Sequence, residues 1–187
     1  KGTAILMRYT LRLLTAQQYE RASALICACD LIRRDHEELF GKNRITIGLW
    51  VGGTTTPNSM DGAKGAVKKF DKLKQDGKEN PFIILKCPWC GAQMGAIQRS
   101  NIWEIAGYKK VIGPHKKAKI VFRCRNNNCD FSKEDLPLFV VDDAIYEATP
   151  TLLLGTVDKF AMLPFRPKAQ CLFGYENGEK KTSPDLI

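Results

Sequence analysis

The sequence predicts an α/β protein in which a parallel sheet with flanking helices is interrupted by a small β-rich insert. Short apolar runs that favour strands alternate with segments whose apolar residues recur every three or four positions. Between residues 82 and 134 this alternation gives way to paired cysteines, short β-like runs and turn-forming glycines. We therefore assign residues 1–80 and 136–187 to one sheet domain and residues 81–135 to the insert.

Two strands and two helices are predicted before the insert. Residues 3–9 are expected to form a short buried strand, and the helical pattern of residues 10–35 follows it. A capping-box pattern that begins at Thr15 gives this helix an alternative start. Residues 45–51 form a second predicted strand that ends at a glycine pair, and residues 62–74 form a basic helix.

The segment after the insert returns to the α/β pattern. Strands are predicted at residues 138–141 and 151–154, and a helix follows at about residues 158–163. Because strands again alternate with helices, we expect these strands to join the same parallel sheet.

Composition excludes some classes of protein and leaves others open. The 187 residues, of which 44% are hydrophobic, suffice for one globular domain. The net charge of +9 favours a polyanionic partner, although a solvated basic surface explains it equally well. The sequence has neither an apolar run of about 18 residues nor a signal-peptide pattern, which argues against a membrane span and favours the cytoplasm. It starts without Met, and residues 184–187 stop as an apolar run begins, so we interpret the chain as a piece of a larger protein.

Four of the seven cysteines form two close pairs that predict a zinc site. Cys87 and Cys90 are separated by two residues, and Cys124 and Cys129 by four. A tight turn lets both thiolates of a pair face one ion, and two such turns supply the ligands of a tetrahedral site. A site closed by four thiolates leaves no position for water, so we expect a structural zinc in a zinc-ribbon-like insert.

Other roles for the cysteines are open at this stage. The two pairs can instead form disulfides or a redox centre, and His115 can replace one cysteine as a ligand. The lack of a secretory signal favours a reducing compartment and therefore a metal. Cys27 and Cys29 lie two residues apart in a predicted helix and face nearly opposite sides, so we expect them to pack as small apolar residues.

The insert carries most of the positive charge of the chain. Residues 82–134 contain ten Lys or Arg and three Asp or Glu, a net charge of +7. Five lysines lie close together in sequence and near Tyr108, and they can face phosphates or simply solubilise the insert. They are Lys109, Lys110, Lys116, Lys117 and Lys119.

Two strand-to-helix junctions resemble motifs of superfamily-two helicases. Residues 5–18 resemble the motif in which a strand end and the following helix hold the nucleic-acid backbone. Residues 151–160 resemble a later motif whose strand ends in Thr, and Gly52-Gly53 lies where the family has a strand-end glycine pair. By spacing alone, each is an ordinary strand-to-helix junction.

The residues of four segments, and the order of these segments along the chain, resemble bacterial helicases of the DISARM phage-defence type. These segments are residues 8–14, 87–91, 155–160 and 184–187. The resemblance spans nearly the whole chain and is weakest in the insert. It implies a RecA-like lobe, ATP-driven translocation on nucleic acid (with DNA expected), partner subunits of a defence system and a bacterial cytoplasm. Carried onto matching positions, the expected nucleic-acid contacts are Arg8, Thr10, Gly52, Gly53, Thr156 and Lys159.

The sequence departs from this family where ATP chemistry would take place. The family's Gly-Lys-Thr phosphate loop and Asp-Glu pair are both absent, so ATP and magnesium are expected only for the intact parent protein. Residues 48–55 imitate a phosphate loop, but Thr54 occupies the lysine position. Residues 140–143 imitate the acidic motif, but they precede the Thr156 motif, and we interpret them as a strand end.

Two other classes of function compete with a motor fragment. A stand-alone zinc-dependent module that binds RNA or protein would need no ATPase motifs. A structural spacer in a larger assembly would need no ligand. Salt-dependent DNA binding distinguishes either binder from the spacer.

Overall fold

A computed structural model of the chain describes residues 2–100, 102–113, 117–176, 178–180 and 182–187. The proposed alternative ligand His115 and the lysine-cluster residue Lys116 lie outside the described residues. In chain order the elements are β1 (Ile5–Tyr9), α1 (Arg12–Asp35), α2 (Glu37–Phe40), β2 (Ile47–Trp50), α3 (Ala66–Asp76), β3 (Gly95–Arg99), β4 (Ile102–Ala106), β5 (Tyr108–Ile112), β6 (Ala118–Phe122), β7 (Leu138–Phe139), α4 (Asp142–Ala148), β8 (Leu152–Thr156), α5 (Val157–Ala161), two 3₁₀ segments (Leu163–Phe165 and Pro167–Phe173), β9 (Tyr175–Glu176) and β10 (Glu179–Lys180).

The main sheet has four parallel strands in the order β1-β8-β2-β7. Its apolar strands alternate with helices along the chain, as parallel pairing requires, because the chain must cross back between neighbouring strands. This confirms the predicted α/β class with a parallel sheet and flanking helices. Parallel strands all end on the same side, so the carboxyl ends of β1, β8 and β2 form one edge.

The core of the protein lies on both faces of this sheet. On one face, buried residues of α1 such as Tyr19 and Ile26 share a cluster with Leu49 of β2. On the other face, Leu6 of β1 packs in a cluster with Ile145 of α4 and residues of the second 3₁₀ segment. Burial of these apolar side chains is the main stabilising term of the fold.

The insert is packed into the first of these clusters. Its hairpins β3–β4 and β5–β6 are antiparallel, and Phe82, Phe122 and Phe131 are buried with the α1 residues. Phe82 and Phe122 lie edge to face, with ring centroids 5.7 Å apart. The insert therefore shares a core with the sheet domain.

Three local predictions are corrected by the structure. The β-like run before Cys87 is not a strand, because Ile83 has a φ of 54° and the chain turns there. The first helix begins at Arg12, and the Thr15 hydroxyl donates to the Leu11 carbonyl at 2.8 Å inside its first turn, so Thr15 is not the cap. Residues 140–143 do not end a strand, since Asp142 begins α4. Acidic residues in a first helical turn are favoured by the helix dipole.

Among the described residues, no helix combines the length and apolar character needed to cross a membrane.

Candidate metal centre and strand-end edge

The four predicted cysteine ligands converge on one point. The sulfur atoms of Cys87, Cys90, Cys124 and Cys129 all lie within 4.8 Å of one another. The Cys90–Cys124 and Cys87–Cys129 sulfur distances are 3.4 and 4.0 Å. A tetrahedral zinc with bonds of about 2.3 Å places its sulfurs about 3.8 Å apart. The four thiols therefore fit a tetrahedral ion and can hold a metal such as zinc.

Each cysteine pair is positioned by its own backbone turn. In the first, the Cys87 N–H donates to the Ala92 carbonyl at 2.8 Å, and the Gly91 N–H donates to the Cys87 carbonyl at 2.9 Å. Gly91 has a φ of 74°, a conformation that glycine adopts without strain. In the second, the Cys129 N–H donates to the Asn126 carbonyl at 3.0 Å. Both turns aim two sulfurs inward.

The pKa values of three thiols in this cluster are shifted mainly by burial and by hydrogen bonds and charges of the neighbouring thiols. Burial, and the neighbouring Cys90 thiol, raise the pKa of the Cys129 thiol to about 11. Burial also raises the pKa of Cys124. For Cys90 burial is outweighed by hydrogen bonds from the Ala92 backbone and the other thiols, so its pKa is lowered. Zinc binding must therefore displace protons from the buried thiols.

A contact between the two turns was missed by sequence reasoning. The Trp89 indole N–H donates to the Asp130 carboxylate at 2.7 Å, and its ring lies edge-on to Phe131, with centroids 6.4 Å apart. Trp89 directly precedes Cys90 and Asp130 directly follows Cys129, and this adjacency to the candidate ligands is the sequence signal that was available. The contact links the turn that holds Cys87 and Cys90 (the first knuckle) to the turn that holds Cys124 and Cys129 (the second knuckle).

The remaining cysteines do not join the cluster. All seven cysteines lie in the described part of the chain, and none forms a disulfide. Cys27 is buried in α1, where burial raises its pKa to about 12, and Cys29 is half-buried two positions further along the helix. The Cys171 thiol donates to the Tyr146 carbonyl at 3.2 Å.

The predicted nucleic-acid contacts lie along the carboxyl edge of the sheet. Thr156 ends β8 directly opposite Tyr9, so Thr10 follows at the end of the adjacent strand. On the other side of β8, Trp50 pairs with Gly155, and Gly52 and Gly53 follow β2. Thr10 and Gly53 are exposed, Gly52 is half-buried and Thr156 is buried. Arg8 is exposed on β1 opposite Gly155.

Lys159, which was predicted as a nucleic-acid contact, is buried. Its side chain is 9% exposed, and its ammonium forms an ion pair with Asp142. It also donates to the Asn58 side-chain oxygen at 3.0 Å and lies 5.9 Å from the centroid of the Trp50 ring. Burial outweighs the nearby ammonium and raises the pKa of Asp142. The charge of Lys159 is thus balanced inside the protein.

The lysine cluster of the insert is partly balanced in the same way. Lys110 pairs with Asp71 at 3.0 Å, and Lys119 pairs with Glu147. Lys109 and Lys117 are exposed. The insert therefore presents fewer free cations than its sequence suggests.

The two segments that imitate ATP-binding motifs, residues 48–55 and 140–143, have different local structures from those motifs. After β2 the chain continues through an irregular loop, and the next helix begins only at Ala66, whereas a phosphate loop leads directly into its helix. Asp143 accepts a hydrogen bond from the Met60 N–H at 2.8 Å, and Asp142 is paired with Lys159.

Comparison with known proteins places the chain beside one part of a much longer protein. No protein-family model matches the sequence. The chain is 34% identical over 190 residues to the DISARM protein DrmA of Bacillus paralicheniformis strain ATCC 9945a, an alignment that covers 94% of this chain. The chain spans 15% of the length of that relative. The chain is therefore similar to one part of a DISARM protein.

Proposed function

We propose that this chain is part of the first RecA-like lobe of a bacterial, ATP-dependent DNA helicase or translocase that acts in phage defence. In this role it supplies contacts to the nucleic-acid backbone and a structural zinc. The observation that carries the proposal is the common edge formed by the carboxyl ends of β1, β8 and β2. In open parallel sheets, ligands bind outside this end of the strands.

The junction between β1 and α1 gives this edge a preference for anions. The 24-residue helix α1 starts just after Thr10, has no side-chain cap and has no acidic residue in its first turn. Its first backbone N–H groups therefore lack intrahelical partners, and the helix dipole makes this end positive. A phosphate of the nucleic-acid backbone can accept hydrogen bonds from these N–H groups, and its negative charge is attracted to the positive end of the helix.

The metal proposed for the cysteine cluster is zinc in a structural role. Four sulfur donors in tetrahedral arrangement suit zinc, and they leave no open position for a substrate or water. Bound there, the ion would fix the two knuckles to each other and to the core they share with α1.

ATP and magnesium are proposed for the longer parent protein and not for this chain. The position that a phosphate-loop lysine would fill is Thr54, and this chain is expected not to hydrolyse ATP. Phosphate release measured with this chain and with a version extended at both ends tests the assignment. Turnover by this chain that is abolished by a substitution within it would contradict the truncated-lobe interpretation.

Salt-dependent DNA binding tests the proposed edge. Binding of a fluorescein-labelled DNA is followed by anisotropy at salt concentrations from about 50 to 200 mM. Arg8→Ala should weaken binding similarly for all sequences and lower the salt slope by about one. Arg21→Ala removes the same charge from an exposed position further along α1 and serves as the matched control. Equal effects of the two substitutions, or no DNA binding by the unmodified chain, would refute the proposed edge.

Partner subunits of a defence system are part of the same proposal. The support is the relationship to a DISARM protein. A zinc-dependent binding module without a motor is the competing function. It would be favoured if the extended chain failed to bind ATP while this chain bound RNA or a protein.

A further inference from the structure

We infer that Asp142 and Asn58 are positioning residues that hold Lys159 and thereby fix the loop after β2 at the sheet edge. This inference rests on the proposed function, since the edge matters for nucleic-acid binding only if nucleic acid binds there. It assigns Lys159 to the internal support of the edge and not to direct contact with a phosphate.

Three elements meet at the Lys159 ammonium. Lys159 lies in α5, Asp142 begins α4, and Asn58 lies in the loop that follows β2. The ammonium pairs with one Asp142 oxygen and donates to the Asn58 side chain at 3.0 Å. The same Asp142 oxygen accepts from the Tyr146 hydroxyl at 3.4 Å. One cation thus joins parts of the chain that are 17 and 101 positions apart.

The ion pair is buried, so each member depends on the other. Lys159 is 9% exposed and Asp142 is 5% exposed. Taking two charges out of water carries a large desolvation cost, which only good mutual geometry offsets. Removing one partner would leave the other charge buried and unpaired. The surrounding segments should then rearrange to admit water.

Asn58 connects Lys159 to the glycine pair, because its side chain contacts both. A Cβ atom added at Gly53 would lie 2.9 Å from the Asn58 amide nitrogen, so the backbone at Gly53 packs closely on that side chain. The loop is held further by the Thr55 N–H, which donates to the Gly52 carbonyl at 2.9 Å, and by the Asp142 N–H, which donates to the Pro57 carbonyl at 3.4 Å.

Unpaired buried oxygens lie in and next to the segments that Lys159 joins. Within the described residues, four buried side-chain oxygens have no hydrogen-bond partner: Thr3 Oγ1, Thr56 Oγ1, Thr156 Oγ1 and the second Asp142 oxygen. Most buried polar atoms in native proteins are paired, so each exception calls for an explanation. Thr56 lies in the loop after β2, Asp142 begins α4 and Thr156 directly precedes α5, so three of the four lie in or next to the segments that Lys159 joins.

A positioning role and a purely electrostatic role of Asp142 predict opposite changes in DNA affinity when Asp142 is replaced. Asp142→Asn removes a negative charge close to the proposed DNA-binding edge. If only charge mattered, DNA would bind more tightly, as it should for Asp61→Asn, which removes an exposed carboxylate from the same loop region. If Asp142 positions the loop, its substitution should weaken binding instead.

The experiment combines hydrogen exchange with DNA anisotropy on this chain. Asp142→Asn should speed amide exchange in residues 52–61, leave exchange in α1 and β8 unchanged and weaken DNA binding by about 2- to 30-fold. The salt slope should not change, because no phosphate contact is removed. Asp61→Asn should leave exchange unchanged and bind DNA as tightly as the unmodified chain or more tightly.

Two additional variants keep the inference falsifiable if Asp142→Asn fails to fold. Asn58→Ala removes one bond to Lys159 from an exposed position without burying a charge, and it should act in the same direction with a smaller effect. A double variant, Asp142→Asn with Lys159→Met, should bind DNA no worse than either single variant, because the pair acts as a unit.

Unchanged exchange in residues 52–61, or tighter DNA binding by Asp142→Asn, would overturn the inference. A lower salt slope for Lys159→Met than for the unmodified chain would also overturn it, since that result shows a direct phosphate contact. If the unmodified chain binds no DNA, the proposed function fails, and the exchange measurement still decides whether the residues position the loop.

Discussion

Removing the metal is expected to destabilise the whole chain and not only the insert. Cys87, Cys124 and Cys129 are buried in the same cluster as Tyr19 and Ile26 of α1. Loss of the ion would leave four thiols whose geometry nothing fixes, at a point where the insert meets the helix that flanks the sheet. Two perturbations test this, a zinc chelator and the substitution Cys129→Ser.

The size of the effect follows from linkage between binding and folding. A ligand present at 1,000 times its dissociation constant stabilises the folded state by about 4 kcal/mol. For a chain of this length, each kcal/mol shifts the melting temperature by about 2–4 °C. Chelation should therefore lower the melting temperature by about 8–16 °C. This is a large part of the total stability of a typical domain.

Elemental analysis, thermal unfolding and tryptophan fluorescence measure this prediction together. One zinc per chain should copurify. Chelation should shift the emission of Trp89 to longer wavelength, because its hydrogen bond to Asp130 spans the two knuckles. A Trp89→Phe variant identifies that part of the signal. Cys29→Ser, at a half-buried cysteine outside the cluster, is the matched control and should keep its zinc.

Three results would refute the reasoning. The first is a protein purified under reducing conditions that contains no metal. The second is a Cys87–Cys90 disulfide in such a preparation. The third is a Cys129→Ser variant that melts at the same temperature as Cys29→Ser.

Two further predictions concern the stability of the fold. Asp30, which is 3% exposed and accepts hydrogen bonds from Arg33 and Arg44, has a lowered pKa because these bonds outweigh burial. Its stabilisation should be present above the unfolded pKa of about 3.9 and be lost as the pH falls through the lower folded pKa. Asp30→Asn should therefore cost about 3–5 kcal/mol at pH 7 and less in acid, and a urea-unfolding difference independent of pH would contradict this. Gly77→Ala should cost more than Gly41→Ala, because both glycines have positive φ values (64° and 76°) but only at Gly77 would the new Cβ overlap a side chain, the Trp103 ring. Equal melting temperatures for these two variants would show that the overlap is relieved at no cost.

The sequence was sufficient for features that depend on neighbouring residues. Alternating strand and helix patterns predicted the parallel α/β class, because periodicity reflects which side of each element is buried. Cysteine spacing predicted both knuckles, since two or four intervening residues let a local turn aim two sulfurs at one point. The family resemblance predicted Thr10, the glycine pair and Thr156 as contacts at strand ends, and the parallel pairing brings those ends to one edge.

Local patterns failed where distant contacts determine the conformation. Residues 82–85 have a strand-like composition, but the chain turns at Ile83 as Phe82 packs against the Tyr108 and Phe122 rings. Asp142 follows an apolar strand and looked like its end. It instead begins α4, where its carboxylate meets Lys159.

The sequence by itself determined the fold class and the cysteine pairs, which follow from spacing along the chain, and its resemblance to a helicase family supplied the candidate edge residues. Only the tertiary structure decided how the charges on that edge are used. Lys159 was predicted as an available cation, but its partners lie 17 and 101 positions away, and no local pattern specifies such pairs. The strand order β1-β8-β2-β7 and the core shared by the insert and α1 were likewise decided by long-range packing, because burial rewards complementary surfaces regardless of their separation in sequence.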